Sequence, residues 1–203
     1  MTQTSTNTLS TLSNLFALAT QNASTSMSRW THGQMSLVLD HVHEIALEDV
    51  AEHLNVGEEL LTIVVLNLEG EFDGQIILTF DDINGKQLAA SLLGQEPSDT
   101  SEWTELEKSA ISETGNILGC AYMNELTRLL EVSLVPSPPM FIQDYGACVL
   151  QQALMAQAMA SDQVLLCHTQ FHRLGQELDW NVFFVPSESL LERIIQSAEL
   201  ISA

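Results

Sequence analysis

Leu60-Leu61-Thr62-Ile63-Val64-Val65-Leu66-Asn67-Leu68, a connection over residues 69–73 that contains Gly70, and Gly74-Gln75-Ile76-Ile77-Leu78-Thr79-Phe80 form the stretch on which the fold turns. Two apolar, β-branched runs around a short polar, glycine-bearing link predict an antiparallel hairpin. Downstream, Asp81-Asp82 supplies a helix cap, and Leu88, Ala89, Leu92 and Leu93 form the apolar face of the helix after it. Upstream, Leu12, Leu15, Phe16, Ala19 and Ala23 recur at steps of three and four from about residue 10. This pattern runs through Met27 and Trp30 and stops at His32-Gly33, a helix-end signal. Met35-Ser36-Leu37-Val38-Leu39 then reads as extended, and residues 45–54 as a short helix or irregular connection.

The same order recurs after Gly94-Gln95-Glu96-Pro97-Ser98-Asp99-Thr100, which reads as a linker. Residues 103–130 carry the longest helical signal. Val132-Ser133-Leu134-Val135 is extended and is broken by Pro136, Pro138 and Pro139. A helix candidate over 149–159 leads to strands over 164–171 and 180–185 around a turn marked by Gly175. The last helix spans 187–198, with Leu190, Leu191, Ile194 and Ile195 inward. The halves can be overlaid: Ser36-Leu37-Val38 on Ser133-Leu134-Val135, and Ile76-Ile77-Leu78 on Val182-Phe183-Phe184. The expectation is one domain over residues 1–203, built from repeats at about 10–94 and 101–200. Three strands per half make a poor sheet alone. One shared antiparallel sheet with long helices packed against it, an α+β fold with pseudo-twofold symmetry, is the economical packing.

Composition narrows function. The 203 residues hold 27 acids against 6 Lys and Arg, a formal net charge of −21. Six cations cannot build a phosphate-binding stripe, which excludes direct nucleic-acid binding and an electrostatic membrane anchor. Cys120, Cys148 and Cys167 form no C-x-x-C and no even set, so a disulfide framework is not expected. The N-terminal residues lack a basic leader pattern, and no apolar run reaches 18 residues, so the cytoplasm is the expected compartment.

The densest polar constellation is Ser109-x-x-x-Glu113-x-x-Asn116 in the long helical segment. Steps of four and three place all three on one helix face, exposed, with Ile111, Ile117, Leu118 and Met123 turned inward. Ala110, Gly115, Gly119 and Ala121 are small and would let another surface approach closely. Taken alone, such a stripe is most simply the wet side of an amphipathic helix.

The stretch Glu107-Lys108-Ser109-Ala110-Ile111-Ser112-Glu113-Thr114-Gly115-Asn116-Ile117-Leu118-Gly119 resembles the signature helix of the CheC, CheX and FliY family, phosphatases of the chemotaxis response regulator CheY. The family pattern is Asp or Ser, three residues, Glu, two residues, Asn. Asn22-Ala23-Ser24-Thr25-Ser26-Met27-Ser28 resembles the run after the first signature helix of CheC, and the likeness spans about residues 12–200. The resemblance implies hydrolysis of an aspartyl-phosphate on a CheY-like receiver domain. Asn116 would orient the in-line water, Glu113 would dock to the receiver's active-site Lys, and Ser109 would support docking. It implies no intrinsic cofactor, with Mg²⁺ supplied by the receiver. CheD is a further partner known in the family, and a homodimer is compatible with the likeness. CheC carries the motif twice, whereas here the first-half positions are Ser10, Asn14 and Ala17, which implies one site per chain.

Two alternatives stand beside this reading. A non-catalytic interaction module, like FliM or a CheD-binding protein, shares the architecture without the Glu-x-x-Asn chemistry. A small-molecule-binding domain has no supporting motif. His41-x-His43 with Glu44 and His53 nearby has no supporting cysteine pair, and surface histidines explain Cys167-His168 with His172, so no metal site is expected. Cys120 reads as a small buried residue, and Trp103 and Trp180 as packing residues.

Overall fold

The computed structural model describes residues 6–53, 60–97, 102–146, 148, 155, 163–173 and 176–202. The hairpin at its centre is β2 (Leu60–Gly70) and β3 (Gly74–Phe80), antiparallel from Thr62 opposite Phe80 to Leu68 opposite Gly74. Gly70 has φ 127°, and a Cβ there would lie 2.5 Å from the Ser133 carbonyl oxygen, so only glycine fits this crossing of two strands. Helix α3 (Asp82–Leu93) follows directly. The Asp81 carboxylate caps it by accepting from the Asn84 amide at 2.9 Å, and Gly94, left-handed at φ 64°, ends it.

Before the hairpin, α1 (Thr6–Trp30) begins four residues earlier than the apolar pattern marks. Strand β1 (Met35–Ala46) is more than twice as long as the extended stretch over residues 35–39 suggested. Residues 40–46 alternate little in hydrophobicity, and pairing to a neighbouring strand keeps them extended. A 3-10 turn (Leu47–Asp49) and α2 (Val50–His53) follow. The second half comprises α4 (Glu105–Leu130), β4 (Leu134–Pro136), β5 (Met140–Tyr145), β6 (Gln163–Arg173), β7 (Gln176–Pro186) and α5 (Glu188–Ser202). Sequence reading missed β5. The prolines divide one strand path in two, and both parts pair with β2, β4 at Leu68–Gly70 and β5 at residues 60–65. Between them Ser137 closes the gap: its amide donates to the Asn67 carbonyl at 2.8 Å and its hydroxyl accepts from the Asn67 amide at 3.0 Å. Of the 149–159 helix candidate only Met155 is described; the Gly175 turn and residues 98–100 of the linker lie outside the described residues.

The strands form one antiparallel sheet, β1-β6-β7-β3-β2-β4, with β5 beside β4 on β2. Exchange the halves, β1 for β4 and β5, β2 for β6, β3 for β7, and the order reads the same from the other edge. The central β3–β7 pair obeys the same symmetry. Ile77 faces Phe183, while Ile76 faces Phe184 and Leu78 faces Val182. Residues overlaid in the sequence are thus related about the Ile77–Phe183 pair, as an isologous twofold contact requires. The helices comply: α3 packs on α4, and α5 on α1.

One face of the sheet carries Val64, Leu66, Ile76, Leu78, Phe80, Phe171, Val182 and Phe184, which join Leu12, Phe16, Ile111, Leu118 and Leu126 of α1 and α4 in one buried cluster. The other face carries Ile63, Val65, Ile77, Phe183 and Val185, also buried. Strands buried on both faces explain why the hairpin sequence is continuously apolar rather than alternating.

Candidate functional site on the second long helix

Helix α4 starts at a capping box. The Thr104 hydroxyl accepts from the Glu107 amide, and the Glu107 carboxylate accepts from the Thr104 amide at 2.8 Å. From this start the buried stripe runs Ala110, Ile111, Thr114, Gly115, Leu118, Gly119, Tyr122, Met123 and Leu126. Ser109 and Glu113 are exposed and Asn116 is half-buried on the opposite side. Ile111, Leu118 and Met123 point inward as expected, whereas Ile117 is only partly covered.

The small residues serve the interior. A Cβ on Gly115 would sit 2.6 Å from Val64 Cγ1, and one on Gly119 would sit 2.8 Å from Leu66 Cδ2. The surface that approaches these glycines is strand β2 of the same chain. Behind the motif, the Trp30 indole donates to the Thr114 hydroxyl at 3.2 Å, and that hydroxyl donates to the Ala110 carbonyl at 2.9 Å. The end of α1 is thereby tied to the turn of α4 that carries Glu113 and Asn116.

On the outer side, Asn116 Nδ2 donates to Glu113 Oε2 at 3.4 Å, and the Cys120 thiol donates to Asn116 Oδ1 at 3.7 Å. The chemistry permits one orientation. A carboxylate only accepts, so the amide nitrogen faces Glu113 and the amide oxygen faces the sulfur. Burial, and then the Glu113 charge, push the Cys120 thiol up, which keeps the proton on sulfur and the donor in place. Sequence reading took Cys120 for a buried filler and missed this contact; its i+4 spacing from Asn116 was the available signal. Glu113 makes no ion pair among the described residues, since nearby Lys108 holds Glu105 at 2.8 Å.

The first-half counterpart can be located from the backbone. His32 and Glu131 are the only non-glycine residues with positive φ among those described, at 53° and 54°, and each follows the end of its long helix. They are 99 residues apart, the spacing that also relates Ser10, Asn14 and Ala17 to Ser109, Glu113 and Asn116. Ser10, Asn14 and Ala17 are all exposed.

The histidines group differently from the sequence expectation. His41 and His168 are paired across β1 and β6, with Asp40 beside both. Trp103 packs as expected, 5% exposed, with its indole donating to Asp82 at 2.7 Å.

No protein-family model matches the chain. The CheY-P phosphatase CheC of Bacillus subtilis is 21% identical over 179 residues, 85% of either chain. CheC1 of Halobacterium salinarum is 26% identical over 132 residues, 64% of this chain and 67% of that one. In sequence and in fold the chain is similar to the CheC, CheX and FliY proteins. Solved structures agree in fold. FliY of Thermotoga maritima has a TM-score of 0.76 at 16% identity, covering 98% of both chains. The FliM middle domain from H. pylori scores 0.67 at 12% identity over 95% of this chain and 99% of that one. CheX from a CheX-CheY-BeF3-Mg²⁺ complex of Borrelia burgdorferi scores 0.56 at 17% identity, over 84% and 97%. No helix among the described residues is long and apolar enough to cross a membrane.

Proposed function

We propose that this protein is a phosphatase that hydrolyses the aspartyl-phosphate of a CheY-like receiver domain. The observation that carries the reading is the outer face of α4. An exposed carboxylate with no ion pair among the described residues stands one turn from a carboxamide held on both sides by Glu113 and Cys120. In the reaction, water attacks phosphorus, the acyl-phosphate P–O bond breaks, and the aspartate leaves as a carboxylate with release of inorganic phosphate. Asn116 orients the attacking water. An amide can do so at any physiological pH, because its part is to position the water in line rather than to accept a proton. Glu113 supplies a charge for the receiver's active-site Lys and so sets the docking register, and Ser109 extends the same contact face. The site needs no cofactor of its own, and Mg²⁺ comes with the receiver. CheD is a second candidate partner, and the cytoplasm is the compartment this reading requires.

The CheC relatives and the CheX-CheY complex support the assignment. Likeness to the FliM middle domain favours a second reading, a non-catalytic docking module on the same fold. Decay of a phosphorylated receiver domain, with and without the protein, separates them. The catalytic reading expects faster decay and its loss, by roughly 100-fold or more, in Asn116→Ala with an unchanged melting temperature. Unaccelerated decay with retained receiver binding would leave the docking module.

A further inference from the structure

We propose that Asp40, His41 and His168 form a binding site for a divalent transition metal of the zinc and cobalt class, on the sheet face opposite the phosphatase motif. The site arises from strand pairing. Strands β1 and β6 run antiparallel, with Leu39 opposite Thr169 and His41 opposite His168. Asp40 is the extra residue of the bulge between those two pairs, so its carboxylate falls beside both imidazoles. Asp40 Oδ2 lies 2.7 Å from His41 Nδ1 and 3.0 Å from His168 Nδ1. The three donor atoms are within 4.8 Å of one another.

The outer contacts of His168 indicate what belongs between them. Its Nε2 meets the Asn181 side-chain oxygen, and its ring stacks on Phe183 at 5.7 Å and 18°. An amide oxygen only accepts, so Nε2 carries the hydrogen and Nδ1 is the ring atom turned to the Asp40 carboxylate, 3.0 Å away. With His41 Nδ1 beside the same carboxylate oxygen, the three donor atoms converge as the ligands of one ion do. A histidine whose far nitrogen is tied to an oxygen while its near nitrogen faces a carboxylate has the outer-contact pattern of metal-ligating histidines. Two imidazole nitrogens and one carboxylate suit a borderline ion rather than Ca²⁺ or Mg²⁺, which take oxygen ligands. The net charge of −21 favours any cation, and exposed Asp40 gives it a path in.

The site stands apart from the phosphatase reading. Cys167 lies in the helix-side core, and Thr169 bonds Tyr122 of α4 at 2.9 Å. His168, between them on the strand, faces the other way. The inference departs from the sequence expectation of no intrinsic metal, because two of the ligands are 127 residues apart and only the β1–β6 pairing joins them.

The test is titration of the metal-free full chain with Co²⁺, read by visible absorption, and with Zn²⁺, read by calorimetry. One equivalent should bind. Affinity should fall at least about tenfold in Asp40→Asn, His41→Gln and His168→Gln, about 10–100-fold in Asn181→Ala, and not at all in His172→Gln. Near-ultraviolet circular dichroism of each metal-free variant confirms its fold, and three separate ligand variants keep the test usable if one fails to fold. No uptake, or uptake unaffected by the folded ligand variants, overturns the proposal and leaves hydrogen bonds among Asp40, His41 and His168 as the content of the cluster.

Discussion

Helices α1 and α4 occupy equivalent places about the pseudo-twofold of the sheet, and they meet the sheet in different ways. At the positions of Gly115 and Gly119, α1 carries Phe16 and Thr20, which are 0% and 2% exposed. Phe16 reaches across to Phe184 with ring centroids 5.2 Å apart, so α1 stands off the sheet on a large side chain. In α4 the backbone itself lies against Val64 and Leu66. The outer faces diverge as well. Glu113 and Asn116 on α4 correspond to Asn14 and Ala17 on α1. The outward-facing residues can therefore differ between the two helices without disturbing the fold, because burial depends on the other side of each helix.

The largest expected effect probes the two ways of meeting the sheet. Phe16→Ala should destabilise the protein by about 3–5 kcal/mol through the cavity it leaves. At the matching position of α4 the opposite change hurts: Gly115→Ala should cost about 1–3 kcal/mol through overpacking against Val64. Denaturant titration of both variants checks the contrast, and a neutral Gly115→Ala would break it.

The Tyr122 hydroxyl joins the helices next in order of effect. It lies 2.7 Å from the Thr20 hydroxyl of α1 and 2.9 Å from the Thr169 hydroxyl of β6. Burial pushes Tyr122 up to about 12, partly offset by its hydrogen bonds to Thr169 and Thr20. An acid whose folded pKa is raised keeps its proton in the native state while the unfolded chain ionises. Stability is therefore complete below pH about 10 and falls as pH rises toward about 12, by up to about 3 kcal/mol. Tyr122→Phe should flatten that slope in thermal melts followed between those pH values.

Smaller effects belong to the outer faces. Glu113→Ala should weaken receiver docking roughly 10–200-fold, as a lost charge-assisted contact does, with kcat at saturating receiver largely preserved. Cys120→Ala should lower kcat about two- to tenfold by freeing the Asn116 carboxamide, with Cys120→Ser restoring part of it because a hydroxyl also donates. Asn14→Ala should change neither stability nor dephosphorylation measurably, since Ala17 already leaves α1 without an amide at the water position. Equal losses from Asn14→Ala and Asn116→Ala would end the one-site reading.

The sequence by itself determined the elements and their repetition. Apolar spacing in residues 12–30 and 103–130, the double-faced apolar strands of the hairpin and the Asp81 cap are local signals, each carried by neighbours within a few positions. The Glu-x-x-Asn spacing was equally local, so its shared helix face could be read directly. Tertiary structure decided what depended on distant partners. It assigned Gly115 and Gly119 to the sheet, and it rescued β5 from the prolines by pairing it with β2. It also brought His41 to His168 and Asp40. Strand register does this: a bulge of one residue and a pairing across more than a hundred set which side chains meet, and no local periodicity encodes that choice.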